Sequence, residues 1–145
     1  MYKFTRRAIV TGLLATALVT PALAGGKIMT PPQAHEAAKK KEIVFIDVRS
    51  PEEWAQTGIA TTAHPVSMHR PGFLKKLNEL VGGDKTKPVA MICRTGSRSG
   101  YLQKELVKYG YTNLISVAEG MLGGPNGKGW IPRGLPVKKV PAMAN

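Results

Sequence analysis

One cysteine stands in the 145 residues of this chain, and its neighbours are of the kind that make a thiol react. Cys93 closes the apolar run Val89-Ala-Met-Ile92 and opens Arg94-Thr95-Gly96-Ser97-Arg98-Ser99-Gly100, which is small, glycine-bearing and twice cationic. An apolar run, then turn residues, then a helical pattern place the cysteine in a strand-to-helix turn. A thiol attacks only as its thiolate, and cations together with a helix N-terminus lower its pKa from a free value of about 8.5. Arg94 and Arg98 supply the cations. Curled into a loop, residues 93–98 would turn successive backbone N–H groups inward as an anion-binding nest. In that reading Thr95, Gly96, Ser97 and Ser99 act through their N–H groups, glycine permitting close approach. An inert cysteine would instead have apolar residues on both sides.

Asp47 and Arg49 form a second constellation, at the end of another apolar run, Ile43-Val-Phe-Ile46. They suit an acid and a cation, but such a pair more often braces a site, with Arg49 expected to pair with Glu53. Residues His35, His64 and His69 have no metal-like spacing and read as surface or turn histidines.

The elements that must position these groups are legible from local grammar. Thr30-Pro31-Pro32-Gln33 starts a helix to about residue 40, with Thr30 as cap, proline in the first turn and Gln33 reaching back. The run 43–46 is a strand buried on both faces, as in parallel sheets. Ser50-Pro51-Glu52-Glu53 repeats the helix start, its acids complementing the helix dipole; Trp54 packs inward and Gly58 ends the turn. Residues 63–68, interrupted by Pro65, read as an edge or short strand. Phe73, Leu74, Leu77, Leu80 and Val81 mark an amphipathic helix ended by Gly82 and Gly83. After the cysteine loop, Leu102, Leu106 and Tyr109 mark a helix closed by Gly110, and residues 113–117 form another strand. Gly120 to Trp130 reads as a long surface loop near the site, and Gly134-Leu135-Pro136-Val137 as a closing segment. Strands alternating with helices imply a parallel sheet covered on both faces, whose ligands bind beyond the carboxyl ends of the strands. Cys93 and Asp47 both lie at that edge.

Length and a 43% hydrophobic content fit one globular domain. Lys3, Arg6 and Arg7 precede an apolar stretch, and Ala22-Leu23-Ala24 gives a small-x-small cleavage pattern, so residues 1–24 read as a signal peptide and 25–145 as the mature domain. The apolar stretch is short of the ~20 residues that span a bilayer, so no stable membrane span is expected after cleavage. The paired arginines also suit a twin-arginine signal. The destination is periplasmic or secreted, where one thiol closes no intrachain disulfide. The leader takes three cations with it, leaving 18 basic against 9 acidic residues and a formal charge near +9. With no aromatic-laced basic tract, that surface attracts small anions rather than nucleic acid.

These motifs, in register, resemble a single-domain rhodanese over nearly all of the mature sequence. Ile46-Asp-Val-Arg49-Ser-Pro-Glu-Glu-Trp54 is similar to that family's first strand and acidic helix start, and residues 89–99 to its active-site loop. Gly110-Tyr111 with Leu114, then Glu119-Gly120-Met121-Leu122-Gly123, Trp130 and residues 134–137, follow as in the family. The chain departs from the pattern in Gly58-Ile59, which lacks the family's histidine, and in the insertion-like residues 124–129, placed to shape the mouth of the site. The resemblance implies an α/β fold with a central, mostly parallel sheet of about five strands and helices on both faces.

It also implies a sulfurtransferase. Thiosulfate, a small dianion, would be drawn by Arg94, Arg98 and the basic rim; Cys93 would attack its outer sulfur, sulfite would leave, and a persulfide would remain for a thiophilic acceptor such as cyanide, a thiol or a partner protein's cysteine. The loop N–H groups would cradle the terminal sulfur. No metal or organic cofactor is required. Two alternatives come with it: a non-enzymatic persulfide carrier, and a cysteine phosphatase. Phosphatases use Cys-x5-Arg, whereas here the spacing is Cys93-x4-Arg98 with Ser99 in the sixth place, a loop one residue short of cradling phosphate. A thiol oxidoreductase lacks its resolving cysteine.

Overall fold

Two helices begin with the reciprocal cap that their sequences encode. In the computed structural model, which describes residues 26–141, Thr30 caps helix α1 (Pro31–Lys39) and Ser50 caps α2 (Pro51–Thr57). In each the third helical residue, Gln33 or Glu53, reaches back to the cap N–H, satisfying donors that the first turn otherwise leaves free. The expected signal peptide, residues 1–24, lies outside the described residues, and none of the described helices is long and apolar enough to cross a membrane.

Five parallel strands make the central sheet: β1 (Lys27–Met29), β2 (Val44–Asp47), β4 (His64–Pro65), β5 (Val89–Ile92) and β6 (Leu114–Val117), in the spatial order β1-β6-β5-β2-β4. Between β2 and β4 lies β3 (Ile59–Ala60), which pairs antiparallel with β7 (Val137–Lys138) in a separate ribbon. The segment 134–137 thus closes the fold as expected, with Val137 in register with Ala60. Of the expected extended segment 63–68 only His64–Pro65 is strand, β4, an edge strand that carries Pro65 where no ladder donor is needed.

The apolar runs of β2, β5 and β6 are continuous because both faces are covered. Ile46, Met91 and Leu114 point to one core with Leu77, Leu102 and Leu106, from α3 (Phe73–Leu80), α4 (Ser97–Glu105) and the 3-10 turn that follows α4. Phe45, Ala90, Ile92 and Ile115 point to the other, with Ala34 and Trp130. Crossovers between parallel strands then put β2 and β5 side by side, Asp47 opposite Ile92, so that Arg49 and Cys93 leave the sheet at the same edge.

Several expectations are corrected. Tyr109 is 52% exposed, so Leu102 and Leu106 alone anchor that helix. The stretch from Gly120 to Trp130 is not a plain surface loop. Met121 and Trp130 are fully buried, and Glu119 holds the stretch down by accepting from the Gly129 N–H and from Arg133. His35 packs edge-on against Trp130 rather than lying free on the surface.

Candidate active site

The site forms where β5 gives way to α4. Cys93 is fully buried at the strand's end, and Gly96, in the left-handed region at φ 102°, turns the chain into the helix. That turn aims the Gly96 N–H at Sγ, 3.1 Å away. The conformation and the space both require glycine, since a Cβ here would collide with the Ala118 carbonyl. Arg94 and Ser97 are exposed at the rim, Thr95 is half-buried, and Ser99 is buried beneath the sulfur with its hydroxyl 3.7 Å from Sγ.

The turn after β6 clamps the other side of the loop. Met121 N–H donates to the Cys93 carbonyl at 2.8 Å and Leu122 N–H to the Arg94 carbonyl at 3.0 Å. The approach is so close that a Cβ on Gly120 would strike the Arg94 carbonyl. The insertion-like residues 124–129 fold back over this turn, Asn126 donating to the Ala118 carbonyl. The loop thus shares its framework with the glycine-rich ending.

Arg98 does not stand free. Its guanidinium binds both oxygens of Glu53 at 2.6 and 2.7 Å, tying the cysteine loop to α2. Its Nη1 is also 3.4 Å from Nε2 of His69, which the sequence alone presents as a surface or turn histidine. Arg98 is held above its ordinary pKa chiefly by the Glu53 hydrogen bond, with the charge of Cys93 a smaller cause. In return Arg98 pulls Glu53 down to about 2, against the opposing effect of burial. Arg94 makes no such pair among the described residues and remains the rim cation.

Asp47 and Arg49 are both buried, and they pair with each other. Asp47, rather than the expected Glu53, is the partner of Arg49: Nη2 lies 2.7 Å from Oδ2 and Nε 3.0 Å from Oδ1. Trp54 Nε1 donates to the same carboxylate, and the remaining guanidinium donors reach Thr57 Oγ1 and the Gly58 carbonyl. At the strand's end residues i and i+2 share a face, which brings the Arg49 guanidinium back onto the Asp47 carboxylate. The two residues brace β2 against α2 and do not open to the loop. Glu53 was expected as a brace but assigned to Arg49 rather than Arg98, and Ser116 and Glu119 were missed as contributors. Ser116 had a signal, a hydroxyl inside an otherwise apolar strand, whereas the ion pairs of Glu53 and Glu119 join distant parts of the chain.

The model of the rhodanese-like domain matches residues 30–123, from the cap of α1 through the turn that clamps the cysteine loop. The chain belongs to the rhodanese-like family. Among curated relatives, the thiosulfate sulfurtransferase GlpE of Coxiella burnetii is 33% identical over 88 residues, 61% of this chain and 77% of that protein. An uncharacterized protein of Rickettsia conorii is 31% identical over 101 residues, 63% and 80% of the two chains. The polysulfide-sulfur transferase homodimer of Wolinella succinogenes superposes with a TM-score of 0.61 at 25% identity, covering 83% of both chains. A protein of M. tuberculosis gives 0.63 at 26%, covering 79% and 98%. This rhodanese-like domain therefore has relatives that are sulfurtransferases, and its sheet order with Cys93 at the carboxyl edge is the scaffold on which its own chemistry must be read.

Proposed function

We propose that this rhodanese-like domain moves a sulfane sulfur from a small anionic donor, thiosulfate or a similar species, to a thiophilic acceptor through a persulfide on Cys93. The observation that carries the reading is the Gly96 N–H, at the N-cap of α4, directed at Sγ. A donor placed there stabilises the charge that the thiolate carries on Sγ. Arg94, exposed at the rim of a strongly basic chain, would draw the anion in; Arg98, Thr95, Ser97 and Ser99 would shape the loop around it.

In the first displacement the Cys93 thiolate bonds to the outer sulfur of thiosulfate, and that sulfur's bond to the central sulfur breaks. The electron pair leaves with sulfite. In the second, the acceptor takes the terminal sulfur and Cys93 returns as thiolate. Two displacements on one nucleophile predict ping-pong kinetics. Two features count against a phosphatase, whose loop arginine would serve the cradle: Arg98 stands one place short, and it is committed to Glu53. We place the reaction in the periplasm or outside the cell, on the strength of the leader-like residues 1–24.

Thiosulfate:cyanide sulfurtransferase activity of the chain, compared with Cys93→Ser, tests the proposal. Turnover that disappears in Cys93→Ser supports it. Persulfide formation without turnover would assign the chain as a sulfur carrier instead, and Cys93-dependent hydrolysis of an aryl phosphate would overturn it.

A further inference from the structure

Beneath Cys93 lies a pair of hydroxyls that packing does not call for. Ser116 sits in β6 between buried Ile115 and Val117, is itself 3% exposed, and shares a sheet face with Leu114 and the core formed by Leu102 and Leu106. A buried hydroxyl in such surroundings is unfavourable unless hydrogen-bonded. Its partner is Ser99 Oγ at 2.8 Å. Ser99 in turn donates to the Gly96 carbonyl at 3.0 Å and lies 3.7 Å from Cys93 Sγ.

We propose that Ser116 is a positioning residue for the Cys93 sulfur and acts through the Ser99 hydroxyl. Each serine hydroxyl has one proton to give and two lone pairs to receive. While Cys93 is a thiol, its S–H points to Ser99 Oγ and the Ser99 proton goes to the Gly96 carbonyl. When the thiol proton passes to solvent, Sγ becomes an acceptor and the Ser99 hydroxyl turns to it. The Gly96 carbonyl is not orphaned by that turn, because the Gly100 N–H also donates to it at 3.1 Å. Ser116 gives its own proton to Ser99 Oγ, which fixes that oxygen under the sulfur and strengthens it as a donor. The relay adds a second hydrogen bond to the thiolate, on the side opposite solvent, beside the one from the Gly96 N–H.

The inference rests on Cys93 acting as a thiolate, and its test reads thiolate formation with no sulfur donor present. The rate of iodoacetamide addition to Cys93 in the full chain, followed by mass, is measured against pH. Ser116→Thr and Ser116→Val have the same shape and differ only in the hydroxyl. The relay predicts that Ser116→Val moves the midpoint of the rate profile up by about half a pH unit, about threefold slower alkylation at neutral pH, while Ser116→Thr keeps the wild-type midpoint. Ser99→Ala moves it at least as far, and adding Ser116→Val to Ser99→Ala moves it no further, since the effect passes through Ser99. Equal midpoints for the Thr and Val variants, or effects that add in the double variant, would overturn the relay whatever happens to thermal stability. Should Ser116→Val not fold, Ser116→Ala stands in the same comparison. The predicted pattern in a chain that transfers no sulfur would uphold the relay and overturn the transfer reading alone.

Discussion

Replacing Glu53 with glutamine separates an ion pair from a helix cap in one step. Glu53 does two jobs: its Oε2 accepts from the Ser50 N–H at 3.1 Å, closing the α2 cap, and its carboxylate holds Arg98 in the cysteine loop. Glutamine keeps the first, because α1 builds the same cap with Gln33. Only the charge is lost. Arg98 is the main reason that Glu53 titrates at about 2 rather than 4.5, and a displacement of that size corresponds to at most about 3 kcal/mol of stability at neutral pH. The pair is partly open to water, with side chains 26% and 17% exposed, so screening reduces the expected contribution to about 1–2 kcal/mol. A depressed carboxyl pKa stabilises the fold fully above the unfolded value and loses that contribution as pH falls through the folded one. Urea unfolding should therefore show Glu53→Gln less stable than wild type by about 1–2 kcal/mol at pH 7, the gap closing as pH drops from about 4.5 toward 2. A gap that stays constant across that range would refute the ion pair as its origin, and equal stabilities at pH 7 would mean that desolvation cancels the attraction.

Asp47→Asn removes the counter-charge of a fully buried guanidinium, and unfolding should show a loss of about 3–5 kcal/mol, far more than for the half-open Glu53 pair. Gly120→Ala, at φ 71° and against the Arg94 carbonyl, should cost more than about 1 kcal/mol and reduce transfer turnover more steeply than its stability loss explains, because the displaced carbonyl belongs to the cysteine loop. Thermal melts and turnover measured on the same preparation check both parts.

What the sequence shows and what it hides divide along the range of the interactions. The caps at Thr30 and Ser50, the buried strands at 44–47 and 89–92, and the turn at Cys93 are set by residues within a few positions of one another, so their grammar is readable in place. Strand β1 is three residues with Ile28 68% exposed, too short for periodicity, and β3 exists only because β7 arrives from the far end of the chain. In the candidate site, Cys93 and the glycine-bearing loop were legible, but the partner of Arg98 lies 45 positions away. Arg49 was legible as a brace and not in its choice of partner, because Asp47, Glu52 and Glu53 were all within reach along the chain and only burial in the folded molecule selects Asp47. Glu119 stands alone among glycines and gains its meaning from Gly129 and Arg133, which the fold brings back to it.

The central claim is that sulfur resides covalently on Cys93 during transfer. Intact mass of the full chain after brief exposure to thiosulfate, followed by addition of cyanide, tests it most directly. The account predicts a gain of one sulfur atom, absent in Cys93→Ser and removed by cyanide. A wild-type mass unchanged by thiosulfate and by polysulfide alike would contradict it.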